Sequence, residues 1–209
     1  MQAEIIYVGD PMCSWCYGFS PVIQALYQKH GKSVKMSLKM GGLHPGNDYI
    51  VTAEYRRFLL GHWSEIAERT GQGFSFGILD KLGWIYDTEK ACRAAVVVRR
   101  LQPGSEYPYF AAIQEGFYAF NRDPHDPDTF SRVAEEFGIA REAFLAAYFD
   151  DAVKAETAAD FDWARAHGVS GFPTVLVRDR RGMAVLTHGY QPLAALEQPL
   201  MGWLETSIA

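Results

Sequence analysis

The sequence predicts an α/β protein in which a β-α-β unit at the start and an α-β-β-α unit at the end flank a long helical insertion. Three observations carry this. Strand patterns occur near the two ends, between Glu4 and Met40 and again from Thr174. From about Pro45 to Ala155 they give way to helical patterns separated by turn residues. The returning strands are joined by a charged turn, Asp179-Arg180-Arg181-Gly182, which reads as a hairpin. Residues 1–44 and 156–209 then form one α/β domain, and residues 45–155 a helical domain inserted at a loop.

The elements follow in order. Glu4–Val8 is a short apolar run, hence a buried strand. Val22, Ile23, Leu26 and Tyr27 recur at helical spacing within Ser14–His30, and Gly31 is the expected stop. Val34, Met36, Leu38 and Met40 alternate with Lys35, Ser37 and Lys39, which is strand periodicity. Helices are expected over Asp48–Thr70, Thr88–Leu101, Glu106–Phe120, Asp128–Phe137, Arg141–Asp150 and Ala152–His167, the last ending at Gly168. Strands Thr174–Val177 and Met183–Thr187 and a final helix, Leu193–Thr206, close the chain.

Composition sets bounds on function. With 48% hydrophobic residues, the 209-residue chain can bury a full core. A net charge of −5 argues against non-specific nucleic-acid or anionic-membrane binding. No uninterrupted apolar run long enough to span a bilayer occurs. The start, MQAEIIYVGDPMC, has no basic residue before Lys29 and no secretory pattern, so a reducing, cytoplasmic setting is expected. There, three cysteines with two at C-x-x-C spacing point to redox chemistry or metal binding rather than a structural disulfide.

Cys13-Ser14-Trp15-Cys16 falls where the first strand gives way to the first helix. A helix N-terminus carries unpaired N–H groups and partial positive charge, both of which favour a thiolate at Cys13, and Cys13 is expected to be exposed there. Cys16, one turn in and more buried, is placed to attack a mixed disulfide on Cys13. The alternative, half of a zinc site, needs two more ligands. Cys92 is isolated and the six histidines form no closely spaced pair.

A second motif, Gly168-Val169-Ser170-Gly171-Phe172-Pro173-Thr174, precedes the returning strands. Proline suits a strand mouth and is the residue that commonly supplies cis bonds, so Phe172–Pro173 is a candidate cis bond in this loop. Asp10, three residues before Cys13, reads either as an acceptor for the Cys16 proton or as an Asp-Pro turn residue. Cys92, among Ala91, Ala94 and Ala95, reads as a small core residue, and His44 and His125 as surface. Trp63, Trp84 and Trp163 read as core anchors, and the aromatic residues from Tyr107 to Phe120 as a helix face packing on the insertion.

These motifs resemble the DsbA family of the thioredoxin superfamily, a thioredoxin-like fold with a helical insertion. Asp10-Pro11-Met12-Cys13-Ser14-Trp15-Cys16-Tyr17-Gly18-Phe19 is similar to its cytosolic, FrnE-like branch of predicted protein disulfide isomerases, as is Tyr86-Asp87-Thr88-Glu89-Lys90-Ala91-Cys92-Arg93-Ala94. The resemblance implies Cys13 as nucleophile, Cys16 as resolving thiol and Pro173 as the cis-proline, in a loop that a thioredoxin-type sheet brings against Cys13 and whose Phe172 main chain would offer its groups to an extended substrate segment. It implies dithiol–disulfide exchange with protein or small-thiol substrates, glutathione among them, and no bound cofactor or metal. Ser14-Trp15 departs from the Pro-His of the periplasmic oxidant: Ser14 offers a hydroxyl, but Trp15 offers no imidazolium. Glutathione-dependent transferases and isomerases on the same scaffold carry serine at the position of Cys13, so the intact pair favours redox work. A dithiol metal-binding module is the non-enzymatic alternative.

Overall fold

The structure, a computed structural model, describes residues 3–207. Strand β1 (Glu4–Gly9) leads into helix α1 (Ser14–His30) and strand β2 (Lys35–Met40). Helices α2 (Ala53–Thr70), α3 (Glu89–Leu101), α4 (Glu106–Tyr118), α5 (Pro127–Glu135) and α6 (Arg141–Phe149) follow, with a 3-10 turn at Gly77–Asp80. Helix α7 (Asp151–Ala166), strands β3 (Thr174–Asp179) and β4 (Gly182–His188), and helix α8 (Leu193–Ser207) complete the chain. The four strands form one sheet in the order β2-β1-β3-β4, parallel between β1 and β2 and antiparallel elsewhere.

β1 is central and buried along its whole length, which explains its unbroken apolar run. Ile5 and Tyr7 face the main core with Phe19 and Leu26 of α1, while Ile6 and Val8 face Ala164 and Val169 on the other side. Helix α4 packs along α1, where Tyr107 stacks on Tyr27 with ring centroids 4.6 Å apart. The aromatic face of α4 therefore reaches the first helix of the α/β part, and one continuous core joins Tyr7 of the sheet to Trp63 and Tyr118 of the helical segment.

Four details differ from the sequence expectation. Helix α2 starts at Ala53 rather than Asp48, because Thr52 caps it by accepting the Tyr55 N–H at 3.1 Å while Ile50 bridges to Ile85 in extended backbone. Gly31 ends α1 with φ −62, so it serves space rather than handedness: a Cβ there would lie 2.6 Å from the Tyr27 carbonyl oxygen. Gly168, by contrast, has the left-handed φ of 72 expected after α7. Trp163 is only half-buried, between Lys39 and the His167 ring, and Phe120 lies beyond the end of α4 and is exposed.

Candidate active site

Strand register brings the two motifs together. Val8 near the end of β1 pairs with Thr174 at the start of β3, so the residues after β1 and before β3 are neighbours. After Gly9 the chain turns through Asp10-Pro11-Met12, and Asp10 builds that turn. One of its carboxylate oxygens accepts the Met12 N–H at 2.8 Å, and its main-chain carbonyl accepts the Cys13 N–H at 3.1 Å. Cys13 is the N-cap of α1, in extended conformation, and its carbonyl accepts the Tyr17 N–H at 3.0 Å. No acidic side chain occupies the first turn of α1; the acid at this end of the helix is Asp10, in the turn before it.

The Cys13 thiol donates to the Phe172 carbonyl at 3.6 Å, across a separation of 159 residues. The Phe172–Pro173 bond is cis. Gly189 N–H on the Pro173 carbonyl, at 2.7 Å, and the Thr174 hydroxyl on the Gly171 carbonyl, at 2.8 Å, hold the loop. The Phe172 ring lies over Gly41, where a Cβ would be 2.1 Å from a ring carbon. A side chain at position 41 would push that ring, and the carbonyl facing Cys13, out of place.

All three cysteines are free thiols. Cys13, expected at the surface, is buried at 5% exposure because the Phe172 loop closes over it, and Cys16 is fully buried. Burial pushes the Cys16 thiol far above its ordinary pKa and the adjacent Cys13 adds to this, opposed by the Asp10 main chain and the Tyr7 hydroxyl. Ser14 is buried at the first position of α1. Trp15 is half-buried and ties α1 to its surroundings. Its ring lies 5.9 Å from His62 and 5.8 Å from Tyr190, with the Arg69 guanidinium 4.9 Å from its centroid.

Asp10 is fully buried. Burial raises its pKa, opposed by the Leu43 N–H, the Thr88 hydroxyl, the Met12 N–H and the Cys92 thiol. Its second oxygen accepts from Leu43 N–H at 2.7 Å and from Cys92 at 3.4 Å. Of the two readings of Asp10, this geometry displays the turn residue directly. Cys92 is fully buried as expected, but it also meets Asp10, which its spacing in the sequence does not reveal.

Sequence reasoning missed a tyrosine clamp. The hydroxyls of Tyr86 and Tyr118 both donate to the carbonyl of Met12, the residue before Cys13. Tyr86 lies in the 86–94 stretch that carried the family resemblance, which was the available signal; Tyr118 gave none. His44 and His125, read as surface, are both partly buried. His44 packs against Tyr86 with centroids 5.2 Å apart and contacts the Tyr55 hydroxyl at 3.5 Å. Burial lowers its pKa. Among the described residues, no group of three or more His, Cys, Asp or Glu side chains is arranged to hold a metal ion. No helix among them is long and apolar enough to cross a membrane.

Known proteins share this fold. A candidate protein disulfide isomerase from Nitrosomonas europaea is 35% identical, with a TM-score of 0.88 over 99% of both chains. The cytosolic disulfide reductase DsbM from Pseudomonas aeruginosa is 25% identical, with a TM-score of 0.77 over 98% of both chains. The same protein with GSH superposes at a TM-score of 0.75, with 26% identity and 98% of each chain covered. No curated protein matches significantly. The profile of the DsbA-like thioredoxin domain matches residues 4–201. With the sheet order, the helical insertion and the cysteine-bearing helix start already described, this match over nearly the whole chain makes the protein a member of the DsbA-like thioredoxin family.

Proposed function

We propose that the protein catalyses dithiol–disulfide exchange through Cys13 and Cys16, on protein or glutathione disulfides in a reducing compartment. The observation that carries this is the Cys13 thiol at the N-cap of α1, facing the Phe172 carbonyl, with Cys16 one turn deeper. A thiolate at Cys13 attacks a substrate disulfide, forming a mixed disulfide and expelling one substrate thiolate. Cys16 as thiolate then attacks the Cys13 sulfur, closing the Cys13–Cys16 disulfide and releasing the second substrate thiol. Two electrons pass from the dithiol to the substrate, and an external thiol reverses the steps. The Phe172 main chain, whose carbonyl receives the Cys13 thiol, would align an extended substrate segment beside Cys13. The names of the relatives, a disulfide reductase and a candidate isomerase, and a solved complex of one of them with GSH, support this chemistry.

Trapping tests the reading. Cys16→Ser is expected to accumulate a mixed disulfide on Cys13 when incubated with oxidised glutathione, seen by intact-mass spectrometry, and Cys13→Ser to form none. Equal adduct formation by both variants would sink the assignment.

A further inference from the structure

The core beneath the redox helix holds a polar atom that the fold does not use. Tyr7 is fully buried on the central strand, and its hydroxyl has no hydrogen-bond partner. Leaving such a donor unpaired in a core is costly, so its retention calls for a physical reason. Phenylalanine would fill the same space without that cost.

Its position supplies the reason. The ring packs on Phe19 of α1, one turn beyond Cys16, with centroids 6.0 Å apart. The hydroxyl lies over Gly9, where a Cβ would come within 2.6 Å of it. Gly9 thus leaves room for a phenol tip at the end of the strand, directly under the start of α1. Cys16 stands one turn before Phe19 on α1 and is fully buried, so a hydroxyl that extends from the Phe19 contact toward Gly9 faces the turn that carries Cys16, where it would hydrogen-bond and stabilise a thiolate. The titratable groups around this spot are Cys13 and Cys16 of the motif and Tyr107 of α4, whose ring stacks 6.4 Å from that of Tyr7.

We propose that Tyr7 is a positioning residue for the resolving step, its hydroxyl a reserved donor that engages Cys16 only as the thiolate. This rests on the exchange reading above. In the dithiol form the thiol leaves the hydroxyl idle. When Cys16 loses its proton to attack a mixed disulfide, or is expelled from the Cys13–Cys16 disulfide, its negative charge arises in a buried place. A charge-assisted hydrogen bond from Tyr7 then holds it. Burial, with Cys16 and Cys13 adding to it, keeps the Tyr7 hydroxyl protonated far above the usual tyrosine range, so it remains a donor.

The test uses the reduced protein and 5,5′-dithiobis(2-nitrobenzoate) in stopped flow. Cys13 attack releases one nitrothiobenzoate and leaves an aryl mixed disulfide. Cys16 attack on the Cys13 sulfur releases the second and closes the disulfide. Tyr7→Phe is expected to leave the first phase unchanged, to slow the second about ten-fold at neutral pH and to move its pH midpoint up by about one unit. The urea midpoint of the dithiol form should be unchanged or raised, because the lost oxygen bonds nothing there. A second phase with unaltered rate and pH profile overturns the inference. So does a lowered urea midpoint or failure to fold, which would assign the hydroxyl a structural bond. A wild-type protein that releases a single nitrothiobenzoate overturns the exchange reading itself, and the inference with it.

Discussion

The Cys92 thiol of α3 donates to the Asp10 carboxylate at 3.4 Å, joining a helix of the insertion to the turn that presents Cys13. Both groups are fully buried. The same carboxylate oxygen receives the Leu43 N–H, so the thiol is one of two donors on it, and the other oxygen receives Met12. The turn before α1 is therefore braced from two other parts of the chain, the segment after β2 and helix α3.

Cys92→Ser keeps a donor at this place and is expected to leave disulfide exchange within about two-fold of wild type, since a buried structural thiol is chemically inert. Cys92→Ala removes it and is expected to cost about 1–2 kcal/mol in urea unfolding, from the lost bond and a small cavity. Because that bond helps hold the Asp10 pKa down, the loss should be larger at pH 8 than at pH 5. Exchange abolished by Cys92→Ser would place this thiol in the electron relay instead.

Asp10 itself should make stability fall as pH rises. Its folded pKa lies above its ordinary value because of burial, so the folded state binds its proton more tightly than the unfolded state. The stability is fully present below the unfolded pKa, near 4, and is lost as pH climbs to the raised folded value. Asp10→Asn keeps an acceptor for Met12 and removes the buried charge, but sets an amide nitrogen, a donor, against the Leu43 N–H and the Cys92 thiol. It is expected to be less stable than wild type by about 1–3 kcal/mol near pH 5, with the gap narrowing toward pH 8 because only the wild type loses stability as pH rises. A gap that stays constant or widens toward pH 8 would show that the carboxylate is better compensated than its burial implies.

The two hydroxyls on the Met12 carbonyl are expected to act as mutual spares. Tyr86→Phe or Tyr118→Phe alone leaves the carbonyl one donor and should cost about 1 kcal/mol. The double variant strands a buried carbonyl and should cost about 1–2 kcal/mol more than the sum of the singles. Its Cys13 should also be alkylated at a different rate, because the loop loses its anchor. Strict additivity in a double-mutant cycle would show that solvent or another donor already serves Met12.

Much of the site was legible along the chain. Cys13 and Cys16 declare themselves by spacing and by lying between an apolar strand and an amphipathic helix. Pro173 declares itself at the mouth of a returning strand. Both depend on local pattern, and both stand where that pattern puts them. Asp10 was legible as a turn residue for the same reason: an Asx turn is made within two residues.

What only the tertiary structure decided lies in contacts between distant segments. Sequence alone determined the element order and the place of the paired cysteines at a strand–helix junction, because strand periodicity, helix caps and turns are properties of short stretches. It did not determine that the Phe172 loop leaves Cys13 buried, that Tyr86 and Tyr118 grip Met12, that Cys92 reaches Asp10, or that the Tyr7 hydroxyl ends unpartnered over Gly9. Those partners sit 159, 74, 106 and 82 residues apart where hydrogen bonds join them. A tyrosine that packs and a tyrosine that clamps have the same spacing on a helix face. The difference lies in where the phenol oxygen ends, and that is set by how α1, α3 and α4 close around the end of β1.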